Sequence, residues 1–369
     1  MRLTHLAVAD FRNIETVRIK PGPGFNLFYG LNGQGKTNLL EAIYLLGSPR
    51  SFRYARLPDI IRHGSSGSQI YGDMESSGTR SSIRLFLESK GRRVEIDGKG
   101  VHRASDLHGR LNAVVFSPDE TGMVRHGPEM RRRYLDRAVY AGDIGYLNCW
   151  HNFHRIIKQR NQLLKSGQKQ GLDIWTEKLA EYGAEVVERR LKFVTRLDDI
   201  FRQRYSSISG GETVGISYRP EGVTATERAD IFPELLELYN RHQGQDERYG
   251  STTAGPHRDD LHFSLNGRPL KGFGSQGQQK SFVLALKMAE MDNLEAVFGE
   301  PPLLLLDDMS SELDARRSAN LMEFLSGRST QVFITTTERT TALCGAVSDC
   351  AVFHVEGGNL TFEGTGSYE

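Results

Sequence analysis

Cysteine is scarce in this chain: Cys149, Cys344 and Cys350 are the three in 369 residues, and no two of them form a C-x-x-C pair. That excludes a disulfide framework and fits a reducing compartment. Long apolar runs are missing as well. No window approaches the length needed to cross a bilayer, and Met1-Arg2-Leu3-Thr4-His5 lacks an apolar signal segment, so the expectation is a cytoplasmic protein with no membrane partner. A large net charge is also absent, at +1 overall, but the balance hides an asymmetry. Residues 1–120 carry +5, residues 121–210 carry +7 and the remainder carries −11. A basic front and an acidic rear suggest one polyanion-facing side, although charged helix faces are usually just solvated.

What is present is a globular composition, 38% hydrophobic and 25% charged, and one stretch that organises the rest. Gly30-Leu31-Asn32-Gly33-Gln34-Gly35-Lys36-Thr37 matches G-x-x-x-x-G-K-[ST]. The apolar run Phe25–Tyr29 before it reads as a buried strand, and Asn38–Leu46 after it has helical spacing. In that context the glycines let backbone N–H groups curl around a phosphate chain at a helix N-terminus. Lys36 would reach the β- and γ-phosphates of a nucleoside triphosphate, and Thr37 would hold magnesium through its hydroxyl.

Residues 1–20 alternate as a hairpin turning at Asp10-Phe11-Arg12-Asn13, and 68–97 read as further antiparallel strands closed by Asp97-Gly98. Arginines interleave with aromatics at 50–56, a mix that suits phosphate and base contacts or a solvated loop equally. Ala113–Phe116 reads as a fully buried strand. From about 128 the period becomes helical, over 129–140, 146–166 and onward from about 172. Trp175, Leu179, Tyr182, Val186, Phe193, Leu197 and Ile200 form a seam for an antiparallel partner, short enough for a helical arm. His151 and His154 share a helical face but have no second ligand pair at zinc spacing, so they read as surface histidines. A strand at 213–218, a helix at 232–241 and a strand at 261–265 before Asn266-Gly267 follow.

Leu303–Leu306 followed by Asp307-Asp308 reads as a buried parallel strand ending in two carboxylates. In a doubly wound sheet these acids arrive beside the phosphate loop, Asp307 to hold magnesium and Asp308 to orient or deprotonate the attacking water. Val332-Phe333-Ile334 would end in Thr335-Thr336-Thr337 at the same edge. Gly274-Ser275-Gln276-Gly277-Gln278-Gln279 opens another long helix, a second anion-binding device or an ordinary N-capped helix.

The order of these motifs, with Ser311-Glu312-Leu313-Asp314 beyond the acid pair, resembles the ATP-binding-cassette heads of chromosome-maintenance and DNA-repair ATPases. Within them it is similar to the bacterial RecF family over essentially the whole chain, through Asp10–Asn13, Ser51-Phe52-Arg53, Phe116-Ser117-Pro118, Gly255-Pro256-His257-Arg258-Asp259-Asp260 and Gly274–Gln279. The resemblance implies an α/β phosphate-loop head with a mixed sheet and an antiparallel subsheet. It also implies a helical lobe inserted between the phosphate loop and the signature motif. The expected segments are 1–120, 121–250 and 251–369. It further implies an ATP- and Mg2+-dependent homodimer that hydrolyses ATP weakly and binds double-stranded DNA, single strands or junctions at gaps. With RecO and RecR it would promote RecA loading and SOS induction. Residues 30–37, Asp307 and Asp308 would act in cis, with Arg12 approaching the nucleotide. Ser275, Gln276 and Gly277 would contact the partner's γ-phosphate, and Asp314 would lie at the dimer seam. Asp308 in place of glutamate, and Thr336 or a neighbour in place of a switch histidine, favour a slow ATPase used as a timer. No glutamine is assigned as the magnesium sensor. Two alternatives stay open: a DNA-binding scaffold with a vestigial nucleotide site, and the ATPase subunit of an importer.

Overall fold

The computed structural model of the chain describes residues 1–48, 50–101, 104–209, 211–308, 313–339 and 350–366. They divide into two compact units, one formed by residues 1–121 and 280–369 and the other by residues 122–279.

The first unit holds two six-stranded sheets. One is antiparallel in the order β2-β1-β4-β5-β6-β7, built from β1 (Arg2–Phe11), β2 (Ile14–Ile19), β4 (Gly67–Ser76), β5 (Thr79–Glu88), β6 (Gly91–Ile96) and β7 (Lys99–Val101). In β4 every second residue from Ser68 to Met74 is buried, the period of a sheet with one face on a core. The other sheet runs β15-β14-β3-β13-β12-β8, from β3 (Phe25–Tyr29), β8 (Ala113–Phe116), β12 (Leu303–Leu306), β13 (Val332–Thr336), β14 (Cys350–Glu356) and β15 (Asn359–Gly366). All its pairings are parallel except that of the edge strand β15. Its inner strands are buried along nearly their whole length because both faces are covered, and Leu303–Leu306 is apolar and buried at all four positions. Helix α1 (Lys36–Gly47) supplies Leu39, Leu40, Ile43 and Leu46 to a core shared with Leu6 and Ile70 of one sheet and Phe28, Leu305 and Phe333 of the other.

Two short helices, α2 (Leu57–Ile60) and α3 (Pro118–Arg125), precede the helical segment. The second unit consists of α4 (Pro128–Gly142), α5 (Ile144–Ser166), α6 (Leu172–Ile208), α7 (Arg228–Tyr249), the sheet of β9 (Val214–Arg219), β10 (Asp260–Leu265) and β11 (Arg268–Pro269), and the single turn α8 (Leu270–Phe273). Helix α5 begins at Asp143, whose side chain accepts the Gly145 N–H, and ends at Gly167 in the left-handed region. Helix α6 spans 37 residues, about 55 Å at helical rise. It packs against α5, α7 and β9, so its buried stripe is wider than the single seam expected for one antiparallel partner. Inside that stripe lies Arg190, which reaches Asp136, Tyr146 and the Pro256 carbonyl. Helix α7 starts at Arg228, earlier than the expected 232, with Pro233 inside it.

The largest difference from the expected segments concerns residues 251–279. Instead of joining the C-terminal part of the head, they cluster with the helical unit, because β10 pairs along its length with β9. After α8 come α9 (Gln276–Phe298) and α10 (Ala315–Leu325). Ser311 and Glu312 lie outside the described residues. Among the described residues no helix is long and apolar enough to cross a membrane.

Candidate functional site

Strand β13 lies between β3 and β12, so three parallel strands deliver their C-terminal ends to one edge. From β3 comes the loop 30–37. Gly30 has φ 153°, and a Cβ there would stand 2.2 Å from the Val355 carbonyl oxygen on β14, so only glycine fits. Gly35 has φ 109°, with Asn13 Oδ1 2.7 Å from where its Cβ would be. The loop is braced from outside. Asn13 Nδ2 and the Gly358 N–H donate to the Gln34 carbonyl at 3.0 and 2.9 Å, and the Gly357 N–H donates to Gln34 Oε1 at 2.7 Å. Leu31, Asn32 and Gly33 stay exposed at the loop's crest.

Helix α1 starts without a capping side chain and without an acidic residue in its first turn. Its leading N–H groups and the positive end of its dipole are thus left for an anion. Lys36 is buried, its Nζ donating to the carbonyls of Gly30 at 2.6 Å and Leu31 at 2.8 Å. Burial lowers its pKa, against the opposing pull of Asp308 and Asp307.

At the end of β12, Asp307 Oδ1 accepts the Thr37 hydroxyl at 2.8 Å and the Thr335 hydroxyl at 2.7 Å. Burial nevertheless raises the Asp307 pKa above its ordinary value, outweighing those two hydroxyls. A cation beside it would offset that cost. The 2.8 Å between Thr37 Oγ1 and Asp307 Oδ1 is close to the ~3 Å separating neighbouring ligands of an octahedral ion at about 2.1 Å. The residues present therefore fit magnesium, which takes one or two protein oxygens and leaves its other positions to phosphate and water. Among the described residues no group of three or more His, Cys, Asp or Glu could hold a metal by itself.

Asp308 sits at φ 50°, an uncommon left-handed conformation for a non-glycine residue, and its N–H donates to Thr335 Oγ1 at 2.9 Å. One hydroxyl thus fixes both acids. Sequence reasoning expected Thr336 or a neighbour at this edge, and it is the neighbour, Thr335, that touches them. Thr336 turns to other work: its carbonyl accepts the Gly30 N–H at 3.3 Å and its hydroxyl the Glu338 N–H.

Arg12, expected at the nucleotide, has φ 55° and makes a two-pronged ion pair with Glu41 of α1, at 3.0 and 2.8 Å. Glu41 is fully buried, and it also accepts Ser51 Oγ at 2.5 Å and Arg53 Nη1 at 3.5 Å. In the sequence this carboxylate looks like one more polar residue in an amphipathic helix. Its signal is a glutamate on the apolar face of α1, which requires cationic partners. In the other unit, Ser275 and Gln276 are exposed at the start of α9. Gly277 follows, half-buried. Asp314 is the N-cap of α10, accepting the Arg317 N–H at 2.9 Å.

A phosphate loop, an acid pair at the end of a parallel strand one removed from it in the same sheet, a flanking antiparallel sheet and an inserted helical unit define a phosphate-loop head of the ATP-binding-cassette type. A profile described as RecF/RecN/SMC N terminal domain matches residues 2–360. The chain belongs to the RecF family. It is 50% identical over 368 residues to the DNA replication and repair protein RecF of Trichlorobacter lovleyi, covering 100% of each chain. Two solved structures, of the recombination mediator protein RecF-ATPrS and of RecF-ATP in the RecFOR pathway, are each 31% identical to it. The first has a TM-score of 0.90 with 98% of each chain covered, and the second 0.88 with 98% of this chain and 99% of that one.

Proposed function

We propose that this protein is an ATP-dependent DNA-binding protein of recombinational repair, in which ATP pairs two copies and slow hydrolysis lets them part. The observation that carries the reading is the Thr37–Asp307–Thr335–Asp308 chain beside an uncapped helix N-terminus. The N–H groups of residues 33–37 cradle the β- and γ-phosphates, and Lys36 leaves its two carbonyls to meet them. Thr37 and Asp307 would hold magnesium, which would supply charge neutralisation on the phosphate oxygens. Asp308, fixed through its own N–H, orients the attacking water toward the γ-phosphate. Ser275, whose hydroxyl accepts one hydrogen bond from Gln278 and keeps its proton to donate, contacts the γ-phosphate held by the partner, with Gln276 and Gly277. Arg12 steadies the nucleotide from its pairing with Glu41, and Asp314 lies at the seam.

The relatives' names support the biological setting: a replication and repair protein, and a recombination mediator in the RecFOR pathway. RecO and RecR as partners, RecA loading onto single strands, SOS induction and a cytoplasmic location follow for this chain as part of the same reading. The test is DNA affinity, measured by fluorescence anisotropy on duplex, single-stranded and gapped DNA, with and without ATP and magnesium. ATP should tighten binding, and the affinity should fall steeply with salt as phosphate contacts require. Equal affinity in both nucleotide states would support the scaffold reading instead.

A further inference from the structure

The first turn of α9 carries a capping box. The Gln278 N–H donates to Ser275 Oγ at 3.2 Å, and the Ser275 N–H donates back to Gln278 Oε1 at 2.7 Å. Serine followed three residues later by glutamine is an ordinary helix start. What the capping pattern does not require is the other end of the Gln278 amide. Its Nε2 donates to Glu212 Oε1 at 2.6 Å. Glu212 stands just beyond α6, and its second oxygen accepts Tyr205 Oη at 2.6 Å and Ser209 Oγ at 2.9 Å. Tyr205 lies in the last turn of α6 and Ser209 caps its C-terminus. Hydrogen bonds from Tyr205 and Gln278 hold the Glu212 carboxyl below its ordinary pKa, so it is ionised at neutral pH.

Donor and acceptor bookkeeping fixes the arrangement. An amide has one oxygen and one nitrogen end, and here the oxygen must face the Ser275 N–H. The nitrogen end then needs an acceptor, which Glu212 provides. Without it the Gln278 amide is held at its oxygen end alone, and the cap on Ser275 loosens.

We infer that Glu212 is a positioning residue for Ser275: it ties the end of the long helix α6 to the signature turn, so that displacing that end releases the cap. Whatever moves the arm thereby changes how the signature serine is presented. The effect on pairing rests on Ser275 meeting the partner's nucleotide, as proposed above; the tie itself does not.

The experiment compares wild type, Glu212→Ala, Glu212→Gln, Gln278→Glu and the double variant Glu212→Gln/Gln278→Glu. Amide hydrogen exchange over residues 274–282 is read by mass spectrometry in nucleotide-free protein, and solution mass is read with ATP and magnesium. Glu212→Ala should speed exchange by up to about fivefold, the ratio that outright loss of a typical N-cap corresponds to, and weaken pairing. Glu212→Gln keeps an acceptor and should stay near wild type. Gln278→Glu sets two carboxylates face to face and should loosen the turn. The double variant should restore it, because the amide introduced at position 212 can donate to the carboxylate introduced at position 278. Unchanged exchange in Glu212→Ala, or no restoration in the double variant, overturns the tie even if one variant folds poorly. If wild type never pairs with ATP, the role of Ser275 falls, and exchange alone still decides the tie.

Discussion

Thr335→Val is the substitution that probes the site most sharply. It is nearly isosteric, yet it removes the hydroxyl that donates to Asp307 at 2.7 Å and accepts the Asp308 N–H at 2.9 Å. Thr335 is 1% exposed, so no bulk water replaces it. A hydrogen bond to a charged group contributes about 1.5–3 kcal/mol, which corresponds to roughly 10- to 150-fold in an equilibrium constant. Loss of a supporting group behind a metal ligand typically costs ~10–100-fold in metal affinity, the same range. Among the groups that counter burial at Asp307, Thr335 comes first, so without it the carboxyl pKa rises further and proton competes better with magnesium. The expected result is a magnesium requirement for nucleotide binding and hydrolysis shifted up by about 10–100-fold. Nucleotide affinity without magnesium should be little changed, and Thr335→Ser should behave as wild type. A fluorescent ATP analogue titrated at stepped magnesium concentrations measures this. Wild-type magnesium dependence in Thr335→Val, or equal damage in Thr335→Ser, would refute the reasoning.

Three other outcomes follow from the same geometry. Gly30→Ala should abolish ATP binding or folding, since its Cβ would meet the Val355 carbonyl; Gly33→Ala, at φ 80° with open space around it, should cost only about 1–2 kcal/mol, both read by denaturation and nucleotide titration. Asp246→Ala should destabilise the helical unit by about 3–5 kcal/mol in urea unfolding, because it strands the fully buried Arg160 guanidinium now paired at 2.7 Å. Burial lowers the His257 imidazole from its ordinary 6.5 to about 4. The unfolded chain takes up that proton as pH falls through 6.5 and the folded chain only near 4, so stability present at neutral pH is lost across that window. The loss is about 3 kcal/mol at most, and His257→Gln should flatten the pH dependence of urea unfolding between those limits.

Local chemistry made much of the head legible. Residues 30–37 carry their strand, turn and helix in one contiguous stretch, and Leu303–Leu306 with its two acids announces both burial and edge. The brace on Gln34 was not legible, because Asn13, Gly357 and Gly358 come from two turns more than 300 residues apart. Thr335 was visible only as one of three threonines, and strand register alone selects which of them faces Asp307. Glu41 hid in a helix whose period gives no sign that a carboxylate is enclosed by two arginines. The grouping of residues 251–279 with the helical unit is not legible for a similar reason: alternation reveals a strand, but its partner β9 is chosen by packing.

The central claim is that ATP joins two copies through the signature turn. The direct measurement is solution mass by light scattering without nucleotide, with ADP and with ATP plus magnesium, repeated with Ser275→Arg. The account predicts a doubling only with ATP and magnesium, abolished by Ser275→Arg while nucleotide binding persists. A mass that stays single in every state, or a Ser275→Arg protein that still doubles, would contradict it.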